Sequence, residues 1–278
     1  MARLAPGALF ALALIAHAAV LAPRAAAQGS DYAPGLNAIC ALGRDQDEGC
    51  AAIRARETAE SQRAPWSAIG RLNHAGHRVY GHCTATLISD RVVLTAAHCL
   101  WDPTTNRWIA PARFTFLAGY HGGDYIAASP AIAVIFPPEI EQDAGATAYR
   151  VNPRHDWALL TLRDPIGRQA GHIPLFPGFL RSTPDRATRM PGYAGLRPHH
   201  LTVARDCGPT LIASGVLLTQ CSAMQGDSGA PLVLEQDGQH FVLGPLSVVT
   251  TTNPPWRSVF APFFKIRKAA NAAIAEAG

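Results

Sequence analysis

The chain is poor in lysine: only Lys265 and Lys268 stand among its 24 basic residues, the rest being arginine. It is also poor in charge, at 16% against 48% hydrophobic residues, and has no block of one sign. That balance excludes a disordered chain and fits a globular one, long enough at 278 residues to bury a sizeable core. No basic run interleaved with aromatics is present, so nothing supports nucleic acid as a partner. No C-x-x-C pair occurs, and His82 and His98, each beside a cysteine, lack zinc-finger spacing. No metal and no cofactor is expected. Internal repeats and low-complexity tracts are missing as well. One apolar run, from about Ala8 to Leu21, raises the question of a membrane span, but His17, Pro23 and Arg24 cut it short.

What is there begins with that run. Arg3, the apolar stretch and the small residues "AAA" before Gln28 have the three parts of a secretory signal peptide, with cleavage expected near Ala27. Residues 1–27 are therefore read as a signal, and the mature chain as secreted or periplasmic with no membrane attachment. The formal charge of +4 includes Arg3 and Arg24, so the mature chain carries about +2. Six cysteines follow the leader, an even number in an exported chain, which suggests disulfides. Six thiols allow many pairings; their clustering favours Cys40–Cys50, Cys83–Cys99 and Cys207–Cys221.

Residues 28–63 are polar and mixed, and read as a pro-segment or an N-terminal arm. After Pro65 the pattern changes to short β-rich runs between turn residues, among them "HCTATLIS", "RVVLTAAHC", "RFTFLAGY", "DWALLTL", "HLTVARDC" and "TLIASGVLLTQC". Asp237–Gly238, between "LVLEQ" and "QHFVL", is a two-residue hairpin signal because both residues tolerate positive φ. Pro-rich 163–192 breaks the pattern and looks like a crossing between two units, 64–165 and 166–278. The end, "APFFKIRKAANAAIAEAG", sets Phe263, Ile266 and Ala270 at helical spacing. Many short strands with one terminal helix indicate an all-β fold of barrels or a sandwich.

Three stretches carry chemistry. In "QGDSGAPLVL", Ser228 lies between Asp227 and Gly229 at the head of an apolar run, either a turn residue or a nucleophile. A nucleophile needs a base and the base an orienter. His98 follows an apolar strand, beside Cys99, with small Ala96 and Ala97 leaving room around it. His74, His77, His121, His199 and His200 stand in polar, turn-like surroundings and read as solvated. Of the aspartates between His98 and Ser228, Asp102 is too near in sequence, and Asp164 precedes a proline. Asp156 stands at the threshold of a buried strand, where a desolvated carboxylate needs a partner such as an imidazole N–H.

"TAAHC", "DWALL" and "GDSGAP", in that order, resemble the signatures of chymotrypsin-like (trypsin-fold) serine proteases, whose triad order is His, Asp, Ser. The likeness runs from about Pro65 to the terminal helix; the leader, the excess of arginine over lysine and the abundance of alanine suggest a bacterial secreted member. It implies two six-stranded antiparallel Greek-key β-barrels with a C-terminal α-helix and the triad between them. It also implies a serine endopeptidase, a monomer acting on peptide or protein substrates. His98 would be the general base, Asp156 its orienter, Ser228 the nucleophile, and the N–H groups of Gly226 and Ser228 the oxyanion hole. Cys83–Cys99 resembles the staple behind the catalytic histidine. A non-catalytic binding module on the same fold is the alternative.

The chain departs from the family in two places. The trypsin branch exposes an Ile-Val-Gly-Gly terminus whose amine pairs with the acid before the serine, here Asp227; no such tetrapeptide lies upstream of "APWSAIGRL". Either an amine freed near Arg54, Arg56 or Arg63 neutralises Asp227, or an internal cation does. At the pocket base, six residues before the nucleophile, Ser222 stands where trypsin-like enzymes place an aspartate. "LSVV" aligns with the strand that binds substrate, which makes Ser247 and Val249 substrate-binding and Val249 a narrowing wall. Small or medium apolar side chains are then expected before the scissile bond.

Overall fold

The structure is a computed structural model that describes Met1, Cys40 and residues 50–75, 80–142, 149–185, 187–253 and 256–278. Residues 2–27 of the expected signal peptide and residues 28–39 and 41–49 of the arm lie outside the described residues, as does His77.

Strands are numbered in chain order. The arm contributes β1 (Glu57–Thr58), and the first unit holds β2 (Ile69–Ala75), β3 (Tyr80–Leu87) and β4 (Val92–Thr95), a small hairpin β5 (Trp101–Asp102) and β6 (Arg107–Trp108), then β7 (Phe114–Ala118), β8 (Ala127–Ile135) and β9 (Ala158–Leu162). Six of these close into an antiparallel barrel in the order β2-β3-β4-β9-β8-β7. Alternation builds it: along β7 the residues are buried at Phe114, Phe116 and Ala118 and half-buried between, while β4 is buried throughout. Closure leaves this barrel without an unpaired edge.

The second unit holds β10 (Thr188–Gly192), β11 (Thr202–Ala204), β12 (Leu211–Ala213), β13 (Val216–Thr219), β14 (Pro231–Gln236), β15 (Gln239–Asn253) and β16 (Trp256–Phe260). With β1 these form an eight-stranded sheet in the order β1-β11-β10-β14-β15-β16-β13-β12. The sheet differs from a plain six-stranded barrel at both ends. β11 and the arm's β1 extend one edge, through the pairs Glu57↔Val203 and Thr58↔Thr202. The seam between β12 and the lead into β10 is a single bridge, Ser182↔Leu211, helped by Thr183 N donating to Thr210 O at 3.0 Å. At the hairpin tip Asp237 and Gly238 take φ of 52° and 72°, as the dipeptide signals.

The terminal helix, Phe263–Ala277, buries Phe263, Ile266, Ala270 and Ala273. Phe263 belongs to the second unit's core, while Ile266, Ala270 and Ala273 pack into the apolar cluster of the first barrel. One amphipathic helix therefore fastens both units.

The three disulfides are Cys40–Cys50, Cys83–Cys99 and Cys207–Cys221. Cys83–Cys99 closes a loop across 16 positions. A loop of that size restricts the unfolded chain by about 3 kcal/mol in the chain-entropy account. Replacing both cysteines by alanine is expected to lower the unfolding free energy in urea by about that amount. An unchanged urea midpoint in the double variant would remove the staple from the account of stability.

Candidate active site

His98 lies in a 3-10 turn, Ala97–Leu100, directly after β4. Asp156 lies two residues before β9, the strand paired to β4 in the barrel. Strand pairing thus sets His98 and Asp156 side by side although they are 58 positions apart.

Asp156 is fully buried and is satisfied by four donors. His98 Nδ1 meets Oδ2 at 2.7 Å, and the His98 backbone N–H donates to Oδ1 at 2.9 Å. Tyr149 OH donates to Oδ1 at 3.3 Å, and Ser247 Oγ donates to Oδ2 at 2.5 Å. A carboxylate only accepts, so Nδ1 carries the proton and Nε2 is left as the basic nitrogen. The Tyr149 phenol is pushed well above its ordinary range by burial and by the Asp156 charge, so it stays a donor. The hydroxyl of Ser247, a residue expected to bind substrate, is engaged with Asp156. Tyr149 is marked by no motif in the sequence, and only the fold reveals it.

The segment 224–228 is held from several sides. Ser228 O accepts from Thr84 N at 2.9 Å, and Gly226 O accepts from Thr84 Oγ1 at 2.9 Å. Thr84 belongs to β3, so the first barrel grips the loop of the second unit. A Cβ on Gly229 would overlap Thr95 and Thr84 and would sit 3.0 Å from Ala96 N, which leaves only glycine after Ser228. That approach sets Ser228 against the strand end that leads into His98. Among the described residues Ser228 Oγ and His98 Nε2 are not hydrogen-bonded to each other. Gly226 has φ of +94°, a value L side chains rarely adopt. Among the described residues no acceptor takes the N–H of Gly226 or that of Ser228.

Asp227 is buried and faces away, paired with the arm's Arg56. Ser222 is buried too, and its hydroxyl is engaged: Asp206 Oδ2 lies 2.6 Å away and Arg257 Nη1 donates to Ser222 Oγ at 3.1 Å. The sequence reading of an uncharged base missed both Asp206 and Arg257. Val249 lies in β15 opposite Ser258 of β16 and packs partly buried on the second unit's core.

The histidines read as solvated are not uniformly so. His74 sits in β2 against Phe114, ring centroids 5.8 Å apart, and His199 Nδ1 bonds Tyr120 OH at 2.7 Å. The donor atoms of Cys83, His98 and Cys99 fall within 4.8 Å of one another, a grouping that could suggest a metal. Both sulfurs are in the disulfide and Nδ1 is on Asp156, so no thiolate is left to ligate.

The Trypsin family model matches residues 53–177, a span that contains His98 and Asp156 and stops short of Ser228. Glutamyl endopeptidase of Bacillus licheniformis is 25% identical over 177 residues, covering 62% of this chain and 52% of that protein. Serine protease 23 of Mus musculus is 30% identical over 161 residues, covering 53% and 42%. The chain thus spans about half the length of the curated relatives it matches. A thermostable serine protease, AL20, superposes with a TM-score of 0.60 at 20% identity, covering 75% of this chain and 97% of that one. A Glu endopeptidase structure does so with 0.60 at 17%, covering 79% and 96%. The fold is therefore the chymotrypsin-like one. The chain is similar to the Trypsin family over residues 53–177 and shares its fold with solved serine proteases.

One histidine beside the site gives a stability signature. His82 Nε2 lies 2.9 Å from Tyr193 O, and the ring crowds Gly226. Burial is the main cause that lowers its pKa from 6.5, with the Tyr193 carbonyl opposing. A lowered histidine leaves stability intact above pH 6.5, where both states are neutral, and loses it as pH falls through the folded value, because the unfolded chain takes the proton first. His74, His155 and His200 are shifted the same way, each chiefly by burial. The melting temperature is expected to fall between pH 7.5 and about 5, and His82→Gln to shrink that fall. An equal fall in the variant would show that His82 does not drive it.

Proposed function

We propose that the chain is a secreted serine endopeptidase working through an acyl-enzyme. The observation that carries this reading is Asp156, wholly buried and holding His98 Nδ1 at 2.7 Å, so that Nε2 is free to accept a proton. In this mechanism Ser228 Oγ attacks the scissile carbonyl carbon while His98 Nε2 takes its proton. The carbonyl oxygen becomes an oxyanion within reach of the N–H groups of Gly226 and Ser228, which have no other acceptor among the described residues. The imidazolium is stabilised by Asp156, and its proton passes to the leaving amine as the C–N bond breaks. Water then repeats the sequence on the ester and frees Ser228.

For the residue before the scissile bond, the partly buried Val249 supports a small or medium apolar side chain. A second reading is favoured by Arg257, whose guanidinium reaches Ser222 Oγ at the expected pocket base. A cation there suits an acidic side chain, and two relatives bear the name glutamyl or Glu endopeptidase.

The mature protein is expected to be phosphonylated once, on Ser228, and to cleave a peptide library. Ser228→Ala and His98→Ala should each lower turnover by about 10⁴-fold or more with the fold unchanged by circular dichroism. Activity that survives in Ser228→Ala would end the assignment. The library also decides the pocket: cleavage after Ala, Val or Leu supports the Val249 wall, and cleavage after Glu or Asp, abolished in Arg257→Ala, supports the cation. Preference for Arg or Lys would contradict both.

A further inference from the structure

The Arg56 guanidinium is buried, with Nε lacking a hydrogen-bond partner among the described residues and both terminal nitrogens engaged. Its Nη1 and Nη2 donate to Oδ1 and Oδ2 of Asp227, each at 2.9 Å, in a bidentate fork. Nη2 also donates to Ser222 O at 2.5 Å, and Nη1 lies 3.4 Å from Thr202 Oγ1. The side chains are 2% and 0% exposed. Buried charges of this kind persist only when paired, and losing one partner leaves the other stranded. Asp227 directly precedes Ser228, and its Oδ2 accepts from Met224 N at 3.1 Å, so its carboxylate fixes the turn that aims Gly226 and Ser228.

The segment carrying Arg56 is built into the body. Ile53 is buried with Cys40, Cys50, Ala194 and Met224, β1 pairs with β11, and Arg197 Nη1 donates to Arg56 O at 2.7 Å. Gly192, on β10, leaves the space that Asp227 Oδ1 occupies. No freed amine is required at the carboxylate, because the fork already fills both of its oxygens.

Resting on the endopeptidase reading, we propose that Arg56 is a positioning residue that acts through Asp227, and that the arm from Cys50 to Thr58 is a permanent part of the active enzyme. Its guanidinium takes the place of the cleavage-generated terminus, so the chain is competent without a cut at Arg54, Arg56 or Arg63. A cut after Arg56 would sever the backbone between the cation and the catalytic units and inactivate the enzyme.

The test uses the full mature chain and a peptide substrate, with phosphonate labelling of Ser228 as an independent reading. Arg56→Ala is expected to lower kcat by about 10²-fold or more with a smaller change in KM, as for loss of an oxyanion-hole donor. Arg56→Lys should retain more activity than Arg56→Ala, and millimolar methylguanidinium should restore Arg56→Ala at least severalfold. A merely structural arginine would show neither rescue nor a kcat-dominated loss. Should the variants fail to fold, N-terminal sequencing of labelled wild-type protein decides: an active terminus upstream of Arg56 supports the proposal, and one downstream overturns it. Wild-type kinetics in Arg56→Ala also overturns it. If wild-type protein is not labelled on Ser228, the endopeptidase reading itself has failed, which is a distinct result.

Discussion

A single buried carboxylate sets the terms for the rest of the molecule. Asp156 has no exposure, so its charge must be met by donors inside the protein. Three of the four come from the first barrel's side of the cleft: the His98 amide, the His98 ring and Tyr149. The fourth, Ser247, is 91 positions away on β15 of the second unit. Satisfying one charge therefore requires the two units to dock in one arrangement, and that arrangement also orients the His98 ring. Thr84 works from the opposite direction, reaching from β3 to the carbonyls of Gly226 and Ser228.

What could be read in the sequence was local. Asp237–Gly238 specifies its hairpin through positive φ, and Phe263, Ile266 and Ala270 specify one face of a helix; both signals span a few residues. His98 and Asp156 were legible because each borders an apolar run, His98 just after one and Asp156 just before one. β8 and β10 were not: β8 carries Pro130 and β10 carries Pro191, which depress any propensity reading. β8 tolerates Pro130 next to a register shift at Ala131/Ala133.

The site's remaining parts depend on long-range pairing, which residue pattern does not encode. Arg56 stands in a polar stretch beside Arg54 and Arg63, and nothing local distinguishes it from them; its partner is 171 positions away. Arg257 and Asp206 converge on Ser222 from different strands or their ends, and only the folded sheet brings them to one hydroxyl. Ser247 lay on the expected strand, but its hydroxyl points to Asp156 and not to an open groove.

The disulfides join residues 10, 16 and 14 positions apart, and each therefore ties a short stretch of chain to itself. None of them bridges the first barrel and the second unit. The union of the halves is covalent only through the backbone of the crossing; otherwise it rests on noncovalent contacts, among them the terminal helix, the Asp156 donors, the Thr84 contacts and the hydrogen bonds of His82 and Tyr120. Such a joint is modular. Halves taken from two relatives would reassemble only if the interlocking atoms were inherited together, so Ser247 must travel with a partner barrel that presents an aspartate to it.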